Sequence, residues 1–269
     1  MFDTIKSRGL VLLGCGKMGS AMLEGWLKQG LPAASVWVKD PFPSDWLKAQ
    51  GVHLNEALPE SPALVLVAVK PQMMEEALPV LKTYGNGDTI FLSVAAGTTI
   101  AHYENVLGAQ TPVIRSIPNT PAAIGRGITG LIGNSHIDEA GLQLAENLLS
   151  AIGQTVRLDN EGQMDAVTAM SGSGPAYVFH LIEAMAAAGE AQGLSPELSM
   201  ALAKATVGGA GQLAEDSAET PTQLRINVTS PNGTTQAALE VLMDDTRGFP
   251  VLMRDAVDAA TKRSKELGA

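Results

Sequence analysis

The amino-acid sequence predicts an α/β protein, in which an N-terminal doubly wound domain is followed by an all-helical domain. Three observations support this prediction: short aliphatic runs alternate with helical patterns in the first half, strand signals end near residues 160–162, and long Ala/Leu/Met stretches follow. A chain of 269 residues has room for two domains of about 100 to 200 residues each. We predict that these domains occupy residues 1–161 and 162–269.

Short aliphatic runs between helical patterns indicate strands of a parallel sheet built from βαβ units. The run Leu64–Val69 does not alternate with polar residues, which is typical of a central strand covered on both faces. It ends before Pro71, because proline cannot donate a hydrogen bond to a ladder. The predicted strands are Leu10–Leu13, Val36–Val38, Leu64–Val69, Ile90–Val94, Val113–Ile117, Ile128–Ile132 and Thr155–Arg157.

After residue 162 the sequence consists of helical stretches separated by Gly, Pro, Ser and Asn clusters. The segment Val178–Ala191 and the last helix are apolar enough to form a core between subunits, so we expect at least a homodimer. The predicted helices are Pro175–Ala191, Pro196–Leu213, Thr234–Met243 and Gly248–Leu267.

Composition and charge exclude several classes of function. The 18 basic and 28 acidic residues give a net charge of −10, which disfavours nucleic-acid binding. Cys15 is the single cysteine and the histidines are scattered, so we expect no disulfide and no metal site, as is typical of a reducing compartment. No apolar run approaches the 18 or so residues of a membrane span, and no signal peptide is evident. We therefore expect a soluble cytoplasmic protein.

The first predicted strand runs directly into a glycine-rich motif, Gly14-Cys15-Gly16-Lys17-Met18-Gly19, and a helical pattern follows. This strand–GxGxxG–helix order is the dinucleotide-binding fingerprint of a Rossmann-like domain. We expect the first glycine to permit a tight turn, the second to admit a pyrophosphate, and the third to allow close helix–strand packing. The helical pattern runs from Ser20 to Gln29, and the free N–H groups at the helix start favour phosphate binding. Lys17 and Met18, within the motif, are predicted to lie at the cofactor.

The second predicted strand ends at Lys39-Asp40, where two interpretations remain open. An acidic residue there binds the adenine ribose in NAD enzymes, whereas a cation favours the 2′-phosphate of NADP. A solvated strand-end pair explains these residues equally well.

Two further strand ends are expected to lie beside the cofactor, since ligands bind at the carboxyl edge of such sheets. Lys70 by itself is equally consistent with a solvated lysine. The cofactor-side residues predicted at these strand ends are Ala68, Val69, Lys70, Pro71, Ala95, Ala96 and Gly97.

In the second half, the turn Ser230-Pro231-Asn232-Gly233 precedes the helix that Thr234 and Thr235 open. Backbone N–H groups and three hydroxyls are thereby concentrated at one helix N-terminus. This arrangement suits a small carboxylate, and the dipole alone contributes about 0.3–1 kcal/mol. An ordinary N-cap is the alternative, because Ser and Thr are favoured there in any case.

Five segments together resemble the pyrroline-5-carboxylate reductase family over nearly the whole chain: GCGKMGSAM, AVKP, PNTP, MSGSGPAYVF and INVTSPNGTTQAALEVL. The resemblance implies NAD(P)H-dependent reduction of pyrroline-5-carboxylate to L-proline. It also implies NADPH, with NADH as an alternative, and a helical dimerisation domain with active sites at the subunit junction. The family assembles as homodimers or as rings of dimers.

The resemblance also assigns roles to individual residues. It places the substrate carboxylate on Ser230, Gly233 and Thr234, and the Thr235 hydroxyl, as the catalytic group, near the ring nitrogen. It assigns Asn227 and Glu161 to the substrate site, Asn55 to the adenosine half of the cofactor, and Lys70 to the nicotinamide ribose. Asn232 departs from the second glycine of many members, but Asn tolerates the left-handed conformation of a turn.

Two other functions stay open from the residues alone. A β-hydroxyacid dehydrogenase shares this domain plan, but carbonyl reduction calls for a lysine or similar acid, and no lysine lies between Gly172 and Gly193. A nucleotide-binding regulator without turnover would keep the glycine-rich loop but would not need the Thr234 anion site. His180, in an apolar helical stretch, is interpreted as structural.

Overall fold

The structure is a computed structural model that describes residues 2–268. Met1 and Ala269, the outer limits of the two predicted domains, lie outside the described residues. The first of two compact units runs to Gly172 and resumes at Thr261, and the second is Ser173–Ala260. The division comes later than the predicted residue 161, because residues 161–172 bury Met164 and Ala169 in the first unit.

An eight-stranded sheet forms the centre of the first unit, with the strand order β3-β2-β1-β4-β5-β6-β7-β8. All neighbouring strands are parallel except β6 and β7. The strands are β1 Leu10–Leu13, β2 Val36–Lys39, β3 His53–Leu54, β4 Leu64–Val67, β5 Ile90–Ser93, β6 Val113–Ile117, β7 Gly127–Gly133 and β8 Gly153–Arg157.

The sheet confirms the predicted fold class and differs from the prediction in two details. The two-residue strand β3 was not predicted, because its apolar signal is too short to recognise. Strand β7 returns antiparallel to β6, since only residues 118–126 connect them and a parallel crossover needs about a dozen residues or more.

Helices cover the sheet and make up the second unit. The α-helices are α1 Asp3–Arg8, α2 Lys17–Lys28, α3 Asp45–Lys48, α4 Met74–Ala77, α5 Ile100–Leu107, α6 Glu139–Leu149, α7 Met164–Val167, α8 Gly174–Ala191, α9 Pro196–Asp216, α10 Pro221–Asn227, α11 Thr234–Leu242 and α12 Phe249–Gly268. Short 3-10 segments span Ala33–Ser35, Pro71–Met73, Leu78–Tyr84, Thr120–Ile124, Ser150–Ile152 and Glu161–Gln163, and Thr168–Gly172 is a π-helical turn.

Alternate residues of the central strands enter two separate cores, one on each face of the sheet. Leu10 and Leu12 of β1 belong to the core that contains Trp26 of α2. Val11 and Leu13 belong to the opposite core, which contains Tyr103 of α5. All residues of β1 and β4 are buried, as expected for parallel strands covered on both faces.

The second unit leaves much of its apolar surface exposed. Fifteen large hydrophobic side chains between residues 173 and 260 are exposed, among them Phe179, Leu202 and Leu252. The buried side chains of this unit include Ala186, Ser199 and Ala203. So large an exposed apolar surface is typical of a region that is covered by a partner subunit. None of the described helices combines the length and apolar character that would let it span a membrane.

Candidate functional site

Two glycines of the glycine-rich loop have no room for a side chain. Gly14 has a φ of +85°, and a Cβ there would lie 2.8 Å from Val69 Cγ1. A Cβ on Gly19 would lie 2.7 Å from the carbonyl oxygen of Gly14. Because glycine has no Cβ, the chain can make the tight turn after β1 and α2 can approach that turn closely.

The remaining glycine of the motif, Gly16, faces open space. Its backbone is extended, with φ −71°, and an added Cβ would meet nothing within 4 Å. Helix α2 begins at Lys17 without a side-chain cap, so the N–H groups of its first turn have no partner within the helix. An open space beside free N–H groups fits the pyrophosphate of a dinucleotide.

The end of β2 is organised around Asp40, which braces the glycine-rich loop. Asp40 Oδ2 accepts a hydrogen bond of 2.7 Å from the Cys15 N–H, and Oδ1 accepts one of 2.8 Å from the Phe42 N–H. Both carboxylate oxygens therefore already have backbone donors. This geometry gives Asp40 a structural role in the loop, which neither of the two interpretations left open by the sequence had assigned to it.

Lys39 and Asn55 come together beside Asp40. Asn55 is held by paired hydrogen bonds, since its Oδ1 accepts from the Asp40 N–H at 3.0 Å and its Nδ2 donates to the Asp40 carbonyl at 2.8 Å. Lys39 Nζ donates to the Asn55 carbonyl at 3.2 Å. The structure thus places the two predicted adenosine-side residues together at the carboxyl ends of β2 and β3.

The other predicted cofactor residues lie at the carboxyl ends of β4 and β5, which are neighbours in the sheet. Ala68 and Val69 contact the backbone at Gly14, whereas Lys70 and Pro71 are exposed. Ala95 is buried, Ala96 is exposed, and Gly97 has a φ of +79°. The three consecutive strand ends of β1, β4 and β5 therefore align the predicted cofactor residues along one edge.

Cys15 in the glycine-rich loop is buried and its thiol lies 3.5 Å from the Ser20 hydroxyl. Burial raises the pKa of the Cys15 thiol above its ordinary value. The thiol is therefore kept protonated near neutral pH, which is unsuited to a nucleophile.

Glu161, predicted at the substrate site, is bound to a residue that the sequence reasoning missed. Arg115 in β6 donates from Nη1 to Glu161 Oε1 at 2.7 Å, and its side chain is only 7% exposed. The signal was a lone arginine within the apolar run Val113–Ile117, because a buried cation requires an anionic partner. Its partner lies 46 residues away, so the sequence did not reveal it.

In the second unit, the turn before α11 has the geometry expected of an anion site. Asn232 has a φ of +56°, the left-handed conformation foreseen for it. The Gly233 N–H donates to the Ser230 carbonyl at 3.0 Å. Helix α11 begins at Thr234 without a side-chain cap, so its first-turn N–H groups are free to bind a carboxylate. Thr235, half-buried, stands in that first turn.

Asn227, the last residue of α10, lies in a short chain of side-chain hydrogen bonds. Its Oδ1 accepts from Gln223 Nε2 at 2.7 Å, and its Nδ2 donates to Glu219 Oε2 at 2.9 Å. Glu219, in the loop before α10, and Gln223, on α10, were not singled out from the sequence, because polar residues in a loop or on a short helix resemble a solvated surface.

Neither His180 nor any metal-type cluster within residues 2–268 adds to the candidate site. The His180 side chain on α8 is 83% exposed and lies 3.2 Å from Glu183, so it does not occupy the apolar environment expected for it. No group of His, Cys, Asp and Glu suited to a metal ion occurs within residues 2–268.

Comparison with known proteins matches both parts of the chain. Residues 161–267 match the family described as "Pyrroline-5-carboxylate reductase dimerisation". Residues 9–97 match the family described as "NADP oxidoreductase coenzyme F420-dependent".

Two relatives that align over nearly their full length are pyrroline-5-carboxylate reductases. The chain is 40% identical over 264 residues to the pyrroline-5-carboxylate reductase of Pseudomonas aeruginosa, covering 96% of each chain. It is 35% identical to that of Haemophilus influenzae, covering 96% of this chain and 97% of the relative.

Solved structures agree with this relationship. A pyrroline-5-carboxylate reductase from Coxiella burnetii matches with a TM-score of 0.90 and 32% identity, covering 97% of this chain and 99% of that one. The pyrroline carboxylate reductase of Plasmodium falciparum, solved with NADP bound, matches with a TM-score of 0.83 and 27% identity, covering 98% and 99%. Since sequence identity, domain content and fold agree over nearly the full length, the chain belongs to the pyrroline-5-carboxylate reductase family.

Proposed function

We propose that this protein catalyses the NAD(P)H-dependent reduction of L-1-pyrroline-5-carboxylate to L-proline, the last step of proline biosynthesis. The proposal is carried by two helix starts without a side-chain cap, those of α2 and α11, each of which follows a glycine-containing turn. One stands behind the open face of Gly16, and the other carries the Thr234 and Thr235 hydroxyls. The first suits a dinucleotide pyrophosphate and the second a small carboxylate.

The cofactor residues follow the strand ends of the first unit. We assign NADPH, with NADH as an alternative, to the row of residues Gly14, Gly16, Lys17, Met18, Gly19, Lys39, Asn55, Ala68, Val69, Lys70, Pro71, Ala95, Ala96 and Gly97. We assign Lys39, which lies beside Asn55 at the end of β2, to the 2′-phosphate, because the Asp40 carboxylate is already bound by the loop backbone. The reduced nicotinamide, when bound, supplies the hydride.

The substrate residues follow the turn before α11. The free N–H groups of the first turn of α11, which begins at Thr234, bind the carboxylate together with the Ser230 hydroxyl. Gly233 lets the backbone approach the carboxylate closely, since its own N–H already donates to the Ser230 carbonyl. The Thr235 hydroxyl forms a hydrogen bond with the ring nitrogen. The ring reacts as the iminium, already protonated at nitrogen, so hydride addition to the C=N carbon moves the π electrons onto nitrogen and gives the neutral amine. No oxyanion forms, so orientation of the ring matters more than a strong acid or a metal.

Asn227 and Glu161 are assigned to the surroundings of the substrate. Asn227, three residues before the carboxylate turn, is held in place by its hydrogen bonds to Gln223 and Glu219. The role of Glu161 is developed below.

The exposed apolar surface of the second unit supports assembly as a homodimer or as a ring of dimers. A reducing cytoplasm is the compartment that suits an NADPH-dependent enzyme with one buried free cysteine.

The test is oxidation of NADPH and of NADH by the purified protein with pyrroline-5-carboxylate, followed by nicotinamide absorbance. Pyruvate and tartronate semialdehyde serve as carbonyl controls. We expect turnover with the imine alone. Turnover with a carbonyl alone would indicate a hydroxyacid dehydrogenase, and NADPH binding without any turnover would indicate a regulator.

A further inference from the structure

An ion pair between a buried arginine and a partly exposed glutamate in the first unit joins β6 to the segment that follows β8. Arg115 is 6% exposed, and its Nη1 lies 2.7 Å from Glu161 Oε1. Its Nε is buried and has no hydrogen-bond partner among the described residues. A guanidinium that is buried to this degree depends on its carboxylate, because removing one partner leaves an uncompensated charge.

The same carboxylate oxygen has a second task. Glu161 Oε1 accepts the Ile100 N–H at 2.9 Å, and Ile100 is the first residue of α5. Thr99 caps the same helix through the His102 N–H at 3.3 Å. Helix α5 therefore has a local cap and an ionic cap supplied from 61 residues away.

This helix start determines where the preceding loop ends. The loop, residues 94–99, carries Ala95, Ala96 and Gly97, which line the predicted cofactor edge. At its beginning, the Ala95 N–H donates to the Ser93 hydroxyl at 3.2 Å. Ser93 also bonds the buried Tyr103 of α5. The loop is thus held at its beginning by Ser93 and at its end by Glu161.

We propose that Glu161 is a positioning residue that places the 94–99 loop against the nicotinamide half of the cofactor, with Arg115 holding the carboxylate in place. The inference rests on the proposed function and replaces the direct substrate contact that the family resemblance implies for Glu161. Both observed donors to the carboxylate come from the first unit, and neither belongs to the substrate turn. Small displacements of a positioning loop weaken binding and hydride transfer disproportionately.

The test compares NADPH affinity, measured by nicotinamide fluorescence without substrate, with the KM for pyrroline-5-carboxylate at saturating NADPH. We expect Glu161→Gln to weaken NADPH binding about tenfold, as for loss of a charged hydrogen bond. The KM for the imine should change less than about twofold. Arg115→Lys, which keeps the charge and loses the planar fork, should act in the same direction but less strongly.

Two further variants separate positioning from stability. Glu139→Gln removes the same charge from an exposed arginine pair on α6 and should leave NADPH affinity unchanged. Arg115→Met with Glu161→Leu replaces the buried pair by apolar groups, which should restore Tm toward the wild type. NADPH affinity should stay low in this double variant, because a leucine in place of Glu161 has no oxygen to accept the hydrogen bond of the Ile100 N–H.

Three results would overturn the proposal. Unchanged NADPH affinity in both Glu161→Gln and Glu161→Ala, with a raised KM for the imine, would make Glu161 a direct substrate ligand. If NADPH affinity recovers together with Tm in the double variant, the ion pair has only a structural role. If Glu139→Gln loses as much NADPH affinity as Glu161→Gln, the effect is a nonspecific consequence of the lost charge. If wild-type protein does not reduce the imine, the proposed function fails, while the NADPH affinities still decide this inference.

Discussion

A side chain added at Gly16 should abolish cofactor binding while leaving the protein folded. In Gly16→Val the new side chain enters the space reserved for the pyrophosphate. The folded protein can accommodate this side chain without a clash, because φ of Gly16 is −71° and no atom lies within 4 Å of an added Cβ. An extended backbone of this kind is allowed for β-branched residues.

The expected magnitudes differ strongly between stability and binding. Valine is a poorer N-cap than glycine, so α2 should lose less than about 1.5 kcal/mol, which lowers Tm by a few degrees. Displacing the phosphates from two backbone N–H groups costs about 1.5–3 kcal/mol for each charge-assisted hydrogen bond. NADPH affinity should therefore fall by roughly 10²- to 10⁴-fold.

The assay is NADPH binding by nicotinamide fluorescence, with Tm measured on the same preparations. Gly19→Ala is the matched contrast, because its Cβ would lie 2.7 Å from the Gly14 carbonyl oxygen, and it should lower Tm more than Gly16→Val. NADPH binding of wild-type strength in Gly16→Val would refute the assigned loop.

Three further predictions address the substrate turn, the assembly and an ion pair. Thr235→Ala should lower kcat at least tenfold and leave NADPH affinity intact, while Thr235→Ser restores most activity; unchanged turnover in the alanine variant would exclude a role for the hydroxyl. Leu202→Asp, on the exposed apolar surface of α9, should reduce the mass measured by light scattering, whereas Val80→Asp, equally exposed on the first unit, should not; a monomeric wild type would contradict the proposed interface. Hydrogen bonds from Arg157 lower the pKa of Glu139 and Glu146 below the usual 4.5, so their stabilisation is complete above that pH and is lost as the pH falls through the lowered values. Arg157→Met should therefore lower Tm at pH 7, and this effect should shrink as the pH falls below 4.5. A pH-independent difference would show that packing, not charge, is responsible.

Features that depend on neighbours in the chain were predictable from the sequence. Continuous aliphatic runs identified β1 and β4, because strands covered on both faces need no polar residues. The glycine-rich motif predicted the strand–turn–helix order at β1 and α2. The turns at Gly14 and Asn232 were predictable because both residues occupy left-handed conformations that few residues tolerate.

Features that depend on distant residues could not be read from the sequence. Asp40 follows a strand as a ribose-binding acid would, yet its carboxylate accepts from Cys15, 25 residues earlier in the chain. The short strand β3 exists only through its pairing with β2. In each case a local pattern was compatible with several partners.

The sequence by itself determined the fold class, the central strands β1 and β4, the glycine-rich turn into α2 and the turn before α11, because backbone conformation and burial periodicity follow from local residue types. Only the tertiary structure decided that β7 runs antiparallel to β6, and that Glu161 binds both Arg115 and the start of α5. A buried charge must find its counter-charge, but which one it finds depends on how the sheet and helices bring remote segments together.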